Sequence, residues 1–324
     1  EGGPPFIDAH NHLALKGSPG RTYFEAARSA MNVMGRLGIS RLIIMPPPRV
    51  PGQPGAFDVF GLIPVVKKYP EQLACLGGGG KLDPMIHEKK NQGTVPKRTR
   101  RAFEKTALKI LSKGAIGFGE FSVEHFSLNY GHVYESVNAD HPLFFLLADI
   151  AAEHNVPIDI HMEAIPRDMA LPQRHILLRS GRNPSMLREN ISGFERLLSH
   201  NRGAKIIWAH AGWCNTGERT PGLCRELLSR HPNLYMSIKL SQEAVRDVQI
   251  LTIDQNSIRS EWLEVFREFP DRFVIGTDQF YLPPGAGRMG PQKTITTRIF
   301  MNLLPEDLAH RIGIENPRRI FNLS

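Results

Sequence analysis

Short, nearly unbroken apolar runs recur along this chain, and segments with helical spacing separate them. The first is Phe6-Ile7-Asp8-Ala9-His10-Asn11-His12-Leu13. The others are Ser40–Met45, Gln72–Gly77, Ala115–Glu120, Pro157–His161, Ala204–His210, Leu234–Lys239 and Arg272–Asp278. Continuous rather than alternating hydrophobicity suits parallel strands covered on both faces. Between the first two runs, Phe24, Ala27, Met31 and Met34 follow a helical period and Gly38 stops it. Thr22-Tyr23-Phe24-Glu25 has the form of a capping box, with Thr22 expected as N-cap. Further helices are expected around Ala56–Tyr69, Lys97–Ser112, Phe144–His154, Ser185–Ser199, Leu223–Ser229, Ser260–Glu268, Leu303–Ile312 and Pro317–Phe321.

Eight strand–helix units in 324 residues fit an α/β chain folded as a (β/α)8 TIM barrel, a single domain over 1–324. Long loops are expected after strands three, four and five. The competing architecture is a doubly wound open sheet. It would announce a glycine-rich phosphate loop after its first strand, where His10-Asn11-His12 stands instead.

Composition adds limits. A net charge of +8 favours anionic substrates, or simply keeps the protein soluble. The densest basic cluster, Lys97-Arg98-Thr99-Arg100-Arg101, lacks interleaved aromatics, so nucleic acid is not an expected partner. No apolar stretch approaches the ~20 residues of a membrane span, so no membrane partner is expected either. A homo-oligomer is allowed. Cys75, Cys214 and Cys224 are too few for a disulfide framework; Cys214 and Cys224 could pair in an oxidising compartment, but buried thiols are the simpler expectation. A start at Glu1 rather than Met favours an exported, periplasmic location over a cytoplasmic one.

The residues with chemistry cluster at the ends of the apolar runs. His10 and His12, two apart on a strand, project to one side. Glu120 ends the fourth run, His161 the fifth, His210 the sixth and Asp278 the eighth. In a barrel these ends share one rim, where active sites lie. Imidazoles and carboxylates are zinc-type ligands, and a catalytic site keeps one position for water. Asp8 is expected one layer below the histidines as a hydrogen-bond support. Lys239, ending the seventh run, could hold a substrate carboxylate or phosphate, Trp213 could wall the pocket, and Arg167 in the loop after strand five could clamp an anion. His125, His132, Glu163 and His175 read as background.

The histidine pair on strand one, single histidines ending strands five and six and an aspartate ending strand eight resemble the amidohydrolase superfamily of metal-dependent barrels. Ile207-Trp208-Ala209-His210-Ala211-Gly212, Phe273-Val274-Ile275-Gly276-Thr277-Asp278 and the closing Asn316-Pro317-Arg318-Arg319-Ile320-Phe321 look most like its amidohydrolase-related branch of hydrolases, lactonases and non-oxidative decarboxylases. The resemblance implies a divalent metal, zinc above all, in one or two ions with two favoured. His10, His12 and Asp278 would hold the first, His161 and His210 the second, and Glu120 would bridge them. In single-metal relatives His210 instead polarises substrate or water. Asp278 is the candidate general base.

The expected activity is hydrolysis of an ester, lactone, amide or phosphoester of a small, anionic substrate by metal-activated water. The alternatives are a zinc-dependent decarboxylase of an aromatic or enoic acid, and a deoxyribonuclease-like phosphodiesterase.

Overall fold

The computed structural model describes residues 2–13, 19–53, 58–241, 243–286 and 291–324. Its centre is a ring of parallel strands: β1 (Phe6–Leu13), β2 (Ile39–Ile44), β3 (Leu73–Cys75, resuming at Gly77–Gly78), β4 (Phe118–His125), β5 (Pro157–Met162), β6 (Lys205–Ala211), β7 (Leu234–Ile238) and β8 (Phe273–Ile275). Pairing runs β3-β2-β1-β8-β7-β6-β5-β4. Leu73–Cys75 pairs with β2 while Gly77–Gly78 pairs with β4, so β3 joins the two ends of that path and the sheet curls into a barrel. The fold is the expected α/β barrel.

Helices Lys97–Ser112 and Ser260–Glu268 lie where the apolar period places them. Elsewhere local chemistry moved the boundaries. The helix after β1 spans Pro19–Leu37, so Thr22 sits inside its first turn and is not the N-cap; proline's fixed φ suits a first helical position. The next helix begins at Val59 under the carboxylate of Asp58, and the expected start at Ala56 lies outside the described residues. The helix expected from Ser185 begins only at Ile191, because Met186–Leu187 pairs with Met169–Ala170 as a small hairpin. Near the end, Pro305 breaks the expected helix over 303–312. The chain forms Gln292–Leu303, restarts at Glu306–His310, and after a wide turn closes with Asn316–Phe321.

Two apolar layers hold the barrel. The larger lies between strands and helices and includes Phe6, Leu42, Phe118, Phe121, Ile158, Ile160 and Trp208. The smaller fills the interior with Ala9, Ile43, Met45, Ile207 and Val274, against which Ile320 and Phe321 of the closing helix pack. Burying a phenylalanine such as Phe321 contributes roughly 1.5–3 kcal/mol. Asn316 ties that helix down by donating to the carbonyls of Pro270 and Phe273. Cys75, Cys214 and Cys224 are buried free thiols. Among the described residues, no helix is long and apolar enough to cross a membrane.

Three strands break period two at the same height. Asp8 pairs with Leu42 and Asn11 with Ile44, so three residues of β1 span two of β2. On β4 and β5, Phe118 pairs with Ile158 and Phe121 with Ile160. On β6 and β7, Trp208 pairs with Met236 and Ala211 with Ile238. Each slip is a bulge of one residue, a device that re-aims a side chain. His10, Glu120 and His210 lie within the three slips.

Candidate active site

His10 and His12 each turn Nε2 toward one rim of the barrel, and Nδ1 fixes the ring. His12 Nδ1 lies 2.9 Å from the Met45 carbonyl, which can only accept, so Nδ1 carries the proton and donates. His10 Nδ1 donates to Asp159 Oδ2 at 3.1 Å. Asp159 lies two residues before His161 on β5, a strand with no slip at that height, so it sits on the same face one layer deeper.

Glu120 stands at the centre of the ring. Its Oε2 is 3.4 Å from His10 Nε2 and 3.2 Å from His12 Nε2. Its Oε1 is 3.1 Å from His161 Nδ1 and 3.3 Å from His210 Nε2. One carboxylate therefore faces a histidine pair with each oxygen. Burial opposes its ionisation, but the field of the surrounding imidazoles, His10 foremost, prevails and holds the carboxyl well below its usual range. Asp278 completes the first pair, with Oδ1 3.3 Å from His12 Nε2 and 3.7 Å from His10 Nε2.

Asp278 is held from three sides. Its backbone N–H donates to the His10 carbonyl, and the preceding Thr277 donates from both N and Oγ1 to Asp8. Asp8 thus clasps the Thr277 turn and accepts from the His10 backbone N–H at 3.4 Å, so its expected support reaches the His10 main chain and not the imidazole rings. Lys239 Nζ donates to Asp278 Oδ2 at 2.6 Å, and Lys293 Nζ lies 3.3 Å away. Burial opposes the ionised form, yet the two ammonium groups keep Asp278 well below the usual carboxylate range. Asp278 and His210 both adopt left-handed backbone, φ 54° and 72°, at roughly 1–2 kcal/mol each for residues other than glycine. Burial, with the Lys239 charge, pushes His210 well below its ordinary value; burial, with His125, brings His161 down to about 3. Both rings stay neutral at pH 7.

The ring fits a metal. His10 Nε2 and His12 Nε2 are buried and lack a hydrogen-bond partner although carboxylate oxygens lie within 3.7 Å. Close but misaligned donors and acceptors are what ligands converging on a shared cation show. Two overlapping sets meet the distance requirement, His10–His12–Asp278 and His10–Glu120–His210.

A cavity of about 370 Å³ opens over the ring. Trp213 lines it, edge-on to His161 and His210, with Lys239 Nζ 3.7 Å from its ring centre. Arg167 lies elsewhere: its guanidinium forms a two-pronged pair with Glu218 on the surface. Arg49, Lys293 and Phe280 line the cavity without having been singled out. Arg49 follows the exit of β2, so the strand-end logic could have found it. Lys293 enters from the helix Gln292–Leu303, which no strand-end signal marks. Glu163 accepts from Asn215 N and Nδ2, pinning the loops after β5 and β6 together, and His175 starts a short helix away from the ring.

The family model described as amidohydrolase matches residues 128–323, more than half of the sequence. The chain belongs to the amidohydrolase family. None of the curated proteins compared with this amidohydrolase matches it in sequence. Solved structures match its fold throughout. An Agrobacterium tumefaciens protein is 17% identical with a TM-score of 0.52, covering 99% of this chain and 97% of its own. A 2,6-dihydroxybenzoate decarboxylase is 14% identical with a TM-score of 0.52, covering 99% and 100%. A 4-oxalomesaconate hydratase from Rhodopseudomonas palustris is 12% identical with a TM-score of 0.51, covering 98% and 96%.

Proposed function

We propose that this amidohydrolase is a hydrolase of a small anionic substrate that works with two divalent cations, zinc above all. The observation that carries this reading is the divided carboxylate of Glu120, one oxygen toward His10 and His12 and the other toward His161 and His210. His10, His12 and Asp278 would hold one ion, His161 and His210 the other, with Glu120 between them. When bound, such ions polarise a carbonyl or phosphoryl oxygen and acidify water.

The chain's own groups supply the rest. Lys239 and Lys293 keep Asp278 ionised and fixed, so it is placed to accept the proton of attacking water. Lys239 is committed to Asp278 and Trp213 and Lys293 to Asp278, so among the described residues that line the cavity Arg49 is the cation left for a substrate's anionic group; its Nε is buried without a partner. Leu128, Trp213 and Phe280 provide apolar wall. That combination of aromatic wall and cations also favours the second reading, decarboxylation of an aromatic or enoic acid. The basic segment Lys97–Arg101 is largely exposed at the start of an outer helix and lines no part of the cavity, which takes support from the nuclease reading.

The test is metal analysis of the purified chain joined to a panel of lactones, esters, amides, phosphoesters and aromatic acids. Two ions held by the Glu120 ring, counted as those lost on removing the ring histidines, with hydrolysis supports the proposal. One ring ion with carbon dioxide release supports the second reading and removes the first.

A further inference from the structure

Nearer solvent, the cavity wall holds a second convergence of ligand-type side chains. β4 runs out to His125, and the returning segment Glu135–Ser136 pairs with it antiparallel, placing His125 opposite Glu135. His132 comes from the turn between them. One donor atom from each of the three lies within 4.8 Å of the others. His125 Nδ1 is 3.2 Å from Glu135 Oε2, and the His125 and His132 rings meet edge-on with centres 4.4 Å apart.

A simple ion pair between His125 and Glu135 accounts for only part of this. Glu135 is 1% exposed, yet its Oε1 has no hydrogen-bond partner, and neither has His132 Nδ1. A buried acceptor left unmet is costly, more so when it is charged. The turn is braced to hold them: Ser127 Oγ and Arg182 both donate to the His132 carbonyl, and Asn183 is bonded to Ser127 at both backbone N and O.

We propose that His125, His132 and Glu135 form a further divalent-cation site in the cavity wall, separate from the ring around Glu120. Two imidazole nitrogens and one carboxylate oxygen make an open zinc-type donor set. The fourth position faces the cavity, where water or an anionic group of the substrate completes it. The His125 ring lies 4.0 Å from that of His161, so an ion here adjoins the main ring without sharing its ligands.

The experiment counts ions on the full chain, titrated with zinc or cobalt alone and read by elemental analysis after gel filtration and by calorimetry. Wild type is expected to bind one ion more than His132→Ala and one more than Glu135→Gln, which preserves volume if the alanine variant unfolds. His12→Ala is expected to lose ions from the ring and keep the wall ion. Equal stoichiometry in wild type and either folded wall variant overturns the site and leaves the ring reading standing. Loss of every ion in a folded Glu135→Gln also overturns it, since the site would then not be separate.

Discussion

Asp159 reaches His10 from beneath: Oδ2 accepts from Nδ1 at 3.1 Å, and that bond directs Nε2 at Glu120 and Asp278. A carboxylate behind a ligating imidazole fixes its tautomer and raises its basicity, and losing such a partner typically costs 10–100-fold in metal affinity. Asp159→Ala should therefore weaken zinc binding by about that factor while the circular dichroism spectrum stays that of wild type. Competition against a calibrated chelator measures it. Unchanged affinity would mean that His10 needs no such support.

The divided carboxylate of Glu120 makes a count, not an affinity, the sensitive measurement. Glu120→Gln keeps the shape but leaves one oxygen and places an amide nitrogen before a histidine pair. Elemental analysis should fall from two ions in the ring to one. Retention of both, or loss of both in a folded variant, would show that Glu120 bridges nothing.

The same geometry shows what could be foreseen. Apolar runs alternating with helical periods fix the barrel, and the strand-end logic reaches all six residues of the ring. Period two works on β5, where Asp159 and His161 share a face, and the deeper aspartate could have been named on that ground. It fails on β1, where the extra residue between Asp8 and Asn11 leaves Asp8 on the His10 backbone rather than beneath the imidazole rings. A bulge leaves no mark in hydrophobicity. Lys293 is beyond reach for another reason: it depends on where the helix Gln292–Leu303 docks, a long-range contact. His125 and His132 read as background, and nothing in the sequence marks Glu135, because only the hairpin brings the three together.

Glu124 gives a pH-dependent handle on that hairpin. Burial raises its carboxyl from 4.5 to about 7, against hydrogen bonds from Tyr134 and Ser136 that lower it. A folded-state value above the unfolded one adds stability that is complete below the unfolded value and is lost as pH rises through the folded value. Glu124 should thus stabilise wild type fully below pH 4.5, with the contribution fading through about pH 7. At 1.36 kcal/mol per unit the span is about 3 kcal/mol. Urea midpoints of wild type and Glu124→Gln, compared between these pH limits, should diverge as pH rises, with the variant becoming relatively more stable. Parallel profiles would place the Glu124 carboxyl near its ordinary value.

Arg49 and Arg167 separate what the loop sequence suggested from what the fold delivers. Arg167 is satisfied by Glu218 at the surface, and exposed pairs of that kind are worth about 0–1 kcal/mol. Arg49 faces the cavity with a buried, unpartnered Nε. A hydrogen bond to a charged group contributes about 1.5–3 kcal/mol, so Arg49→Ala should raise KM for an anionic substrate roughly 10–100-fold. In the proposed reaction the reacting bond would lie at the Glu120 ring rather than at Arg49, so kcat should change little. Arg167→Ala should leave both constants at wild-type values. The salt dependence of kcat/KM should also flatten in Arg49→Ala, because the attraction being screened is gone. A substrate turned over equally well by wild type and Arg49→Ala would have to bind without an anionic group at this position.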